Sequence, residues 1–532
     1  MIFNKIIKKF NKALLIHPLW SYFFIFLILF LFLFTLQYSL VFPDPDSFYH
    51  AKTAVLIKEQ GVIKSFPWLQ FTELKDNYID HHFLYHLILV PFVAWLNPLL
   101  GLKLANIILT ALALMTIYWF LRKFSIKYSW FYLMVLLFSG PFIFRLSLAK
   151  AQPLSLIILT LALYFIWQKK YWPLFFLSFI YVWTYGGWPL ILVFVSIYLI
   201  VETLLKLVKA KRKMTQHSWL FGLIILFKNF DFKLFFSCLL GLTAGLIVNP
   251  YFPQNLYFYW LQVVQIGLIN YQEIIGVGGE WYPYSFFDFL GSLSLIFILL
   301  SISLLYFLVK VKKQDARSWS LLIISIFFFV FTLKSRRNIE YFTPFALLYG
   351  AFVLNGFFQT VSFKKLKSIF DSFYRKRKFL ALVLVIYFAI AFPVIGLRNL
   401  HGLYQELREG FSINYLKGSS DWLKNNTPDK AIIFHSDWDE FPVLFYHNTD
   451  NYYIVGLDPT FMYKYDEELY WDWVNVTTGE ETENLYPIIK DKFRASYVFV
   501  STDNQRMREN IDDNFNFELV YTDEDANIYQ VL

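Results

Sequence analysis

The chain has 532 residues, of which 57% are hydrophobic and only 16% charged, a balance outside the range of a soluble domain. Its net charge of +9 is unevenly held: from Asp421 to Leu532 there are 23 Asp and Glu against 8 Lys and Arg, so this tail carries −15 and the remainder +24. The basic residues sit beside apolar spans rather than on one soluble face, which argues against nucleic acid as a partner, and the single cysteine, Cys238, excludes an intrachain disulfide.

Apolar runs of roughly 20 residues recur along the chain, the length that crosses a bilayer as a helix. The first of them is too long for a cleavable signal peptide and has no small-residue cleavage site. Met1 to Lys12 is basic and amphipathic and is placed in the cytoplasm, followed by a span over Trp20–Gln37. A long external loop is then expected over 38–101. Within it, His82 to Leu100 is apolar but interrupted by His86, Pro91 and Pro98, and reads as an interfacial or re-entrant helix. Basic residues on alternate sides of the following runs orient them by the positive-inside rule. Crossings are expected over Leu104–Leu121, Trp130–Phe144, Leu154–Trp167, Tyr171–Trp183, Leu190–Leu205 and Leu234–Val248, with the densest basic loop at Lys206 to Lys233. A second external loop covers 254–285, and crossings over Phe286–Val309, Trp319–Leu333, Tyr341–Phe358 and Leu380–Val394 complete about eleven. The fold class is thus a polytopic α-helical membrane protein, residues 1–398, with the N-terminus in the cytoplasm and the chain in the cell membrane.

The acidic tail, residues 399–532, reads as a separate soluble domain outside the cytoplasm. Ala431–Phe434, Tyr452–Val455, Ala495–Ser501 and Phe517–Tyr521 have strand character, with helical stretches between the first three and before the fourth. That alternation predicts a small α/β domain with a mainly parallel sheet.

Under this topology the unusual polar groups collect on one, external side. Asp44-Pro45-Asp46-Ser47-Phe48-Tyr49-His50-Ala51-Lys52 places two carboxylates, an imidazole and a cation next to the first span. Carboxylates held by an intervening proline suit a hard cation such as Mg²⁺ or Mn²⁺, although Asp-Pro by itself is also an ordinary turn at a helix exit. Asp80-His81-His82, Arg145, Lys150, Glu280 and Arg336-Arg337 fall on the same side. Charges at helix ends either serve function or snorkel to the interface.

Several of these stretches, in order, resemble the oligosaccharyltransferase catalytic subunits, which are GT-C membrane glycosyltransferases. Asp46 to Lys52 is similar to their first external-loop motif. Phe142-Ile143-Phe144-Arg145-Leu146-Ser147 is similar to the end of their third span, and Trp183-Thr184-Tyr185-Gly186-Gly187-Trp188 to their Trp-Gly-Gly-aromatic turn. Gly279-Glu280-Trp281-Tyr282-Pro283, followed by Ser285-Phe286-Phe287-Asp288, resembles the loop bearing their external glutamate. Arg337 with Pro344 repeats the spacing of their arginine-bearing helix. The resemblance implies that Asp46, Glu280 and Arg337 carry the chemistry: Asp46 at acceptor and metal, Glu280 holding acceptor or metal, Arg337 at the acceptor. Lys52, Arg145, Lys150, Arg336, Trp438 and Asp439 are read as substrate-binding residues.

Two departures bear on mechanism. Where the family has an acidic pair, or an Asp and a His, that ligates metal, this chain has Ala149-Lys150-Ala151-Gln152-Pro153. Either the site lacks a metal and Lys150 supplies the positive charge, or Asp44 and Asp46 recruit Asp80, His81 and His82 as substitute ligands for Mn²⁺ or Mg²⁺. Where the family has Trp-Trp-Asp-Tyr-Gly, the tail keeps only Trp438-Asp439, which removes the motif that reads an Asn-x-Ser/Thr acceptor. Asp437, Asp439 and Asp458 follow strand ends, where α/β domains place sites and where acids also cap helices. The implied reaction moves a sugar or oligosaccharide from a polyprenyl-phosphate or diphosphate carrier to a protein, glycan or lipid acceptor outside the cytoplasm. A single-sugar transferase on a lipid or glycan, and a noncatalytic transporter or scaffold, are the competing readings.

Overall fold

The computed structural model describes residues 18–211, 227–361 and 363–532. Met1 to Lys12 and most of the basic loop Lys206 to Lys233 lie outside the described residues. The helices in chain order are α1 (Pro18–Gln37), α2 (Asp46–Gln60), α3 (Phe83–Trp95), α4 (Pro98–Lys123), α5 (Ser129–Leu137), α6 (Gly140–Ser147), α7 (Gln152–Trp167), α8 (Tyr171–Thr184), α9 (Pro189–Lys211) and α10 (Phe232–Ile247). They continue with α11 (Gln254–Trp260), extended by a π-helical stretch Leu261–Ile269, then α12 (Phe286–Ser292), α13 (Ser294–Val309), α14 (Ala316–Lys334), α15 (Ile339–Thr360), α16 (Phe363–Lys376) and α17 (Lys378–Glu406).

Among the described residues five helices are long and apolar enough to cross a membrane: α1, α4, α9, α14 and α15 with the turn before it. Two bent pairs raise the number to seven, α5 with α6 at 74° and α12 with α13 at 84°. The expected spans Trp130–Phe144 and Phe286–Val309 are therefore broken. Pro141, near the start of α6, has no N–H to donate and cannot continue α5. The carbonyls released at the two breaks share one donor: Asn399 Nδ2 reaches Phe138 O at 2.9 Å and Ser292 O at 3.4 Å. Such repair is what tolerates a helix break in an apolar setting. Four further apolar helices, α3, α7, α8 and α10, are shorter than a full crossing. Helices α8 and α10 approach closely because α10 offers glycines at the contact. A Cβ on Gly241 would lie 2.3 Å from Phe175 O, and one on Gly245 2.8 Å from Phe179 O, the small-residue packing of apolar helix pairs.

In the tail, α18 (Lys417–Asn426), α19 (Phe441–His447), α20 (Glu467–Thr477) and α21 (Gln505–Asp512) surround a five-stranded sheet. Its strands are β3 (Ile432–His435), β4 (Tyr452–Tyr453), β5 (Tyr497–Ser501), β6 (Phe517–Thr522) and β7 (Ala526–Val531), after a two-stranded ribbon of β1 (Val41–Phe42) and β2 (Phe411–Ser412). The order is β4-β3-β5-β7-β6, with β4, β3 and β5 parallel and β7 and β6 antiparallel. The strand at 526–531, not expected from the sequence, pairs antiparallel with β5 and β6, so the sheet is mixed rather than mainly parallel. The boundary expected at 398 falls inside α17. Pro393 does not stop that helix, and the turn comes at Gly410, whose φ of +119° suits glycine.

The tail and the 38–101 loop share one core. Phe48, Phe66 and Tyr49 pack with Phe441, Phe445 and Tyr453. The loop also adds to the sheet edge: Leu69 pairs with Tyr453, Tyr453 N donates to Trp68 O at 2.7 Å, and Gln70 N donates to Tyr453 O at 2.9 Å. An edge covered this way cannot pair with another chain. The second loop joins through Phe258 stacked on Phe461 and Trp438 against Gly278.

Candidate active site

A cavity of about 620 Å³ lies where both loops, the helix ends and the tail meet. Asp44 closes the turn at its edge by accepting a hydrogen bond from Asp46 N at 2.8 Å. Pro45 immediately precedes α2, a place where its missing N–H costs nothing. Both carboxylates then converge on the ammonium of Lys150, in the turn between α6 and α7: Lys150 Nζ is 2.6 Å from Asp44 Oδ2 and 2.8 Å from Asp46 Oδ2. Glu280 Oε2 stands 4.0 Å from the same nitrogen.

Glu280 is the hub of the cations. Arg145 Nη1 bonds it, and Arg337 Nη1 is 3.3 Å from Oε1. Arg145 also grips Glu340 on α15, with Nε at 3.2 Å and Nη2 at 3.1 Å from Oε2. The Glu280 turn is fixed from behind. Ser335 Oγ donates to Glu280 O at 2.9 Å, Arg336 N donates to Tyr282 O at 3.0 Å, and the Arg337 guanidinium lies 4.1 Å from the Trp281 ring centre.

A second polar chain runs beside the cavity. Asp80 Oδ2 is 2.7 Å from His86 Nδ1, and His86 Nε2 is 2.8 Å from His50 Nδ1. Asp80 Oδ1 also accepts from His82 N at 3.0 Å. His50 lies one turn after Asp46 on the same face of α2 and lines the cavity with His81 and His82. Tyr185 stacks on His82 at 5.6 Å between ring centres. Gly187 makes room for that ring, since a Cβ there would lie 2.5 Å from Tyr185 Cε1. From the tail come Trp438, Asp439, Leu457 and Asp458.

The electrostatics follow from burial. Desolvation, with the neighbouring Asp44 charge, pushes Asp46 up to about 6 against the pull of Lys150. Burial opposes the charge on Lys150, but Asp44, Asp46 and Glu280 overcome it and hold the ammonium firmly protonated. Burial also disfavours ionised Glu280, yet Arg145, Lys150 and Arg337 outweigh it and keep the carboxyl well below its usual range. Burial lowers His50 and His82 and takes His81 to about 4, so these imidazoles are neutral. It raises Asp439, helped by the charges of Asp437 and Asp46.

Of the residues expected from sequence, Asp44, Asp46, Arg145, Lys150, Glu280 and Arg337 form one charge cluster, and His81, His82, Trp438 and Asp439 line the cavity. Asp80 stands behind them, bonded to His86. Lys52 and Arg336 are not among the cavity-lining residues. Lys52 lies near Lys424, Glu59 and Asp450, and Arg336 packs over Tyr284. The carboxylates and imidazoles suggested as a substitute metal site do not converge: among the described residues no three His, Cys, Asp or Glu side chains group so as to hold a metal ion. Asp44 and Asp46 face an ammonium, and Asp80 is engaged by His86. His50, His86 and Glu340 join these networks without a role expected from the sequence. The available signals were spacings: His50 four residues after Asp46, His86 four after His82, and Glu340 three after Arg337, each one helical turn away.

No family profile and no curated protein matches the sequence. Solved structures do resemble the fold. The archaeal oligosaccharyltransferase AglB from Archaeoglobus fulgidus, in complex with an inhibitory peptide and a dolichol-phosphate, is 13% identical with a TM-score of 0.59, covering 91% of this chain and 70% of that one. A complex of the A. fulgidus oligosaccharyltransferase with Zn and sulfate gives 13% and 0.56, covering 90% and 68%. ArnT from Cupriavidus metallidurans, bound to undecaprenyl phosphate, is 12% identical with a TM-score of 0.50, covering 96% and 97%. At such identities the likeness is one of fold. The chain shares the fold of these two proteins, and among its described residues five to seven helices are long and apolar enough to cross a membrane.

Proposed function

We propose, from that shared fold and the charge cluster within it, that the protein is a membrane glycosyltransferase. It moves a sugar or oligosaccharide from a polyprenyl-phosphate or diphosphate carrier to an acceptor. The observation that carries this reading is the convergence of Asp46, Lys150, Glu280, Arg145 and Arg337 on one cavity beside apolar helices. Neighbours of the same fold bind dolichol-phosphate and undecaprenyl phosphate.

In this reading Asp46 accepts the proton of the acceptor nucleophile. The freed oxygen or nitrogen attacks the anomeric carbon, the bond from that carbon to the phosphate oxygen breaks, and the phosphate leaves with the electron pair. A carboxylate near 6 is matched to a general base at neutral pH. Lys150, Arg145 and Arg337 stand where the charge of the leaving phosphate develops. Glu280 holds the three cations apart and in place.

Three of the shorter apolar helices, α7, α8 and α10, together with α17, are read as further crossings that bring the seven to eleven, with α3 at the interface and the tail and both loops outside the cytoplasm. Cysteines introduced at Lys209 and Lys376 should then label from the cytoplasmic side and one at Ser501 from outside; external labelling at Lys209 overturns this sidedness. Transfer itself is tested with purified protein and a polyprenyl-linked donor, following sugar release. Release that is unaffected by Asp46→Asn removes the reading.

One observation favours a single-sugar transfer to a lipid or glycan as the variant of this function: the tail keeps only Trp438-Asp439 of the acceptor motif in the resembled family.

A further inference from the structure

The GT-C resemblance brings with it the expectation of a divalent cation, and this cavity does not present the ligands for one. What it presents is a primary ammonium in the place a cation needs. Lys150 Nζ is 2.6 and 2.8 Å from two carboxylate oxygens and 4.0 Å from a third. Its side chain is 11% exposed. Asp44 and Asp46 flank this ammonium, and Lys150 lines the cavity through which a phosphate oxygen would reach it. Two carboxylates within 2.8 Å of a largely buried ammonium make this a fixed arrangement rather than a mobile surface pair.

We infer that Lys150 is a covalently tethered substitute for the divalent cation, and that the protein works on its phosphate-linked substrate without a metal. The proposal rests on the glycosyltransferase reading and adds the means by which phosphate charge is met. The physical consequence is a trade. A tethered ammonium carries one positive charge where a divalent ion carries two, and it cannot dissociate. Arg145 and Arg337, joined to the same carboxylate hub, supply the remaining positive charge. The same residues explain why Asp44 and Asp46 need no further acidic partner: a pair of carboxylates is what one ammonium can satisfy, whereas a hard divalent ion takes six or more oxygens.

The test uses full-length protein in detergent, with Mn²⁺ as the probe. Binding is followed by the loss of the free Mn²⁺ paramagnetic signal, independently of activity. Wild type should show no Mn²⁺ site that depends on Asp44 or Asp46, and transfer should be undiminished after chelator treatment. Lys150→Ala vacates the ammonium's position between the carboxylates and should acquire Mn²⁺ binding that a second change, Asp44→Asn, removes. Its transfer should fall by about 10²- to 10³-fold, the range for losing one preorganised group at a developing negative charge, with part of the loss restored by Mn²⁺. Lys150→Arg keeps the charge and should bind no Mn²⁺. Equal Mn²⁺ binding in wild type and Lys150→Ala, whether present or absent, overturns the proposal. If Lys150→Ala does not fold, wild type decides alone: an Asp44-dependent Mn²⁺ site, or loss of transfer in chelator, overturns it. Should no glycosyl transfer be found with any donor, the Mn²⁺ comparison still stands, so failure of the functional reading and failure of the cation substitution are separable.

Discussion

Two buried polar networks flank the cavity, and they are built on opposite plans. The Asp80–His86–His50 chain is sealed at its Asp80–His86 end and reaches the cavity only through His50: His86 is fully buried and Asp80 is 2% exposed. Both Asp80 oxygens are used, and each imidazole nitrogen of His86 has a partner. The Asp44–Asp46–Lys150–Glu280 cluster is open, with the Asp46 and Glu280 side chains 28% and 24% exposed toward the cavity. A satisfied network fixes side chains in one arrangement. An open one, carrying charges at the edge of a cavity, has capacity left for a ligand. Under the proposed function the first network positions and the second carries the chemistry, so changes in each should be felt in different measurements.

Asp46→Asn is the substitution that separates the two plans most sharply. It leaves volume and the Asp44–Lys150 contact in place while removing the carboxylate. Transfer should fall by about 10²- to 10⁴-fold, the usual contribution of a general base. Stability should not fall with it. Asp46 is raised to about 6 in the folded protein against an ordinary value near 4. The fold therefore binds the proton more tightly than the unfolded chain, and stability from this group is lost as pH rises from about 4 to about 6. At pH 7 the Asn variant should melt at the wild-type temperature or above it. For the same reason wild-type transfer should decline as pH falls through about 6, with an apparent value belonging to the coupled group of carboxylates. An acid limb that survives in Asp46→Asn would move the base elsewhere.

Glu280→Gln should come next, at roughly 10²-fold in transfer, the lower end for a group acting on developing charge. The loss arises indirectly, because Arg145, Lys150 and Arg337 lose the carboxylate that spaces them. A positioning role predicts a raised KM for the donor together with lowered kcat. A change in kcat alone would place Glu280 at the reacting atoms instead.

How much of this was legible in the sequence depends on the range of the interactions. Asp46, Glu280 and Arg337 stand in local motifs, so their joint importance could be expected from short stretches. That Lys150 sits between Asp44 and Asp46 is a contact across more than 100 residues; the sequence offered Lys150 only as a source of positive charge, in one of two alternatives, and not this contact. The Asp80–His86–His50 chain was less visible still. His81 and His82 drew attention as neighbours, while the imidazole bonded to Asp80 is that of His86, one helical turn further along α3. The bent spans at Ser139 and Leu293 hid behind continuous hydropathy, because apolar composition does not record where the backbone turns. The covered sheet edge at Tyr453 was not legible at all: nothing in Trp68-Leu69-Gln70 has strand length, and the pairing exists only because the loop packs on the tail.

Asp80→Ala tests the sealed network. It removes the acceptor for His86 Nδ1–H and His82 N–H at once. Each buried donor left unpaired costs about 1–3 kcal/mol, so a clear fall in melting temperature is expected. Transfer measured below that temperature should stay within roughly tenfold of wild type, short of what removing a general base does. A stable Asp80→Ala protein with transfer abolished would reverse the assignment and place the imidazole chain in the chemistry.

The smallest effect is expected at Trp438, where the tail meets the cavity. Its indole lies 3.4 Å from the position a Cβ on Gly278 would take, so it closes the loop that carries Glu280 from the tail side. The neighbouring Asp439 feels the charges of Asp46 and Asp44, which puts this edge of the tail beside the proposed base rather than beside the arginines. An acceptor approaching Asp46 would therefore pass Trp438, while a carrier phosphate would meet Lys150, Arg145 and Arg337. Trp438→Ala removes aromatic contact area without touching a charge. Loss of one well-packed aromatic contact is worth about 1–2 kcal/mol, or about tenfold in acceptor KM, with kcat and donor KM nearly unchanged, the pattern of lost uniform binding. Steady-state kinetics with each substrate varied in turn resolve the two sides. A rise confined to donor KM would put the carrier, and not the acceptor, under the tail, and would exchange the two sides of the cavity.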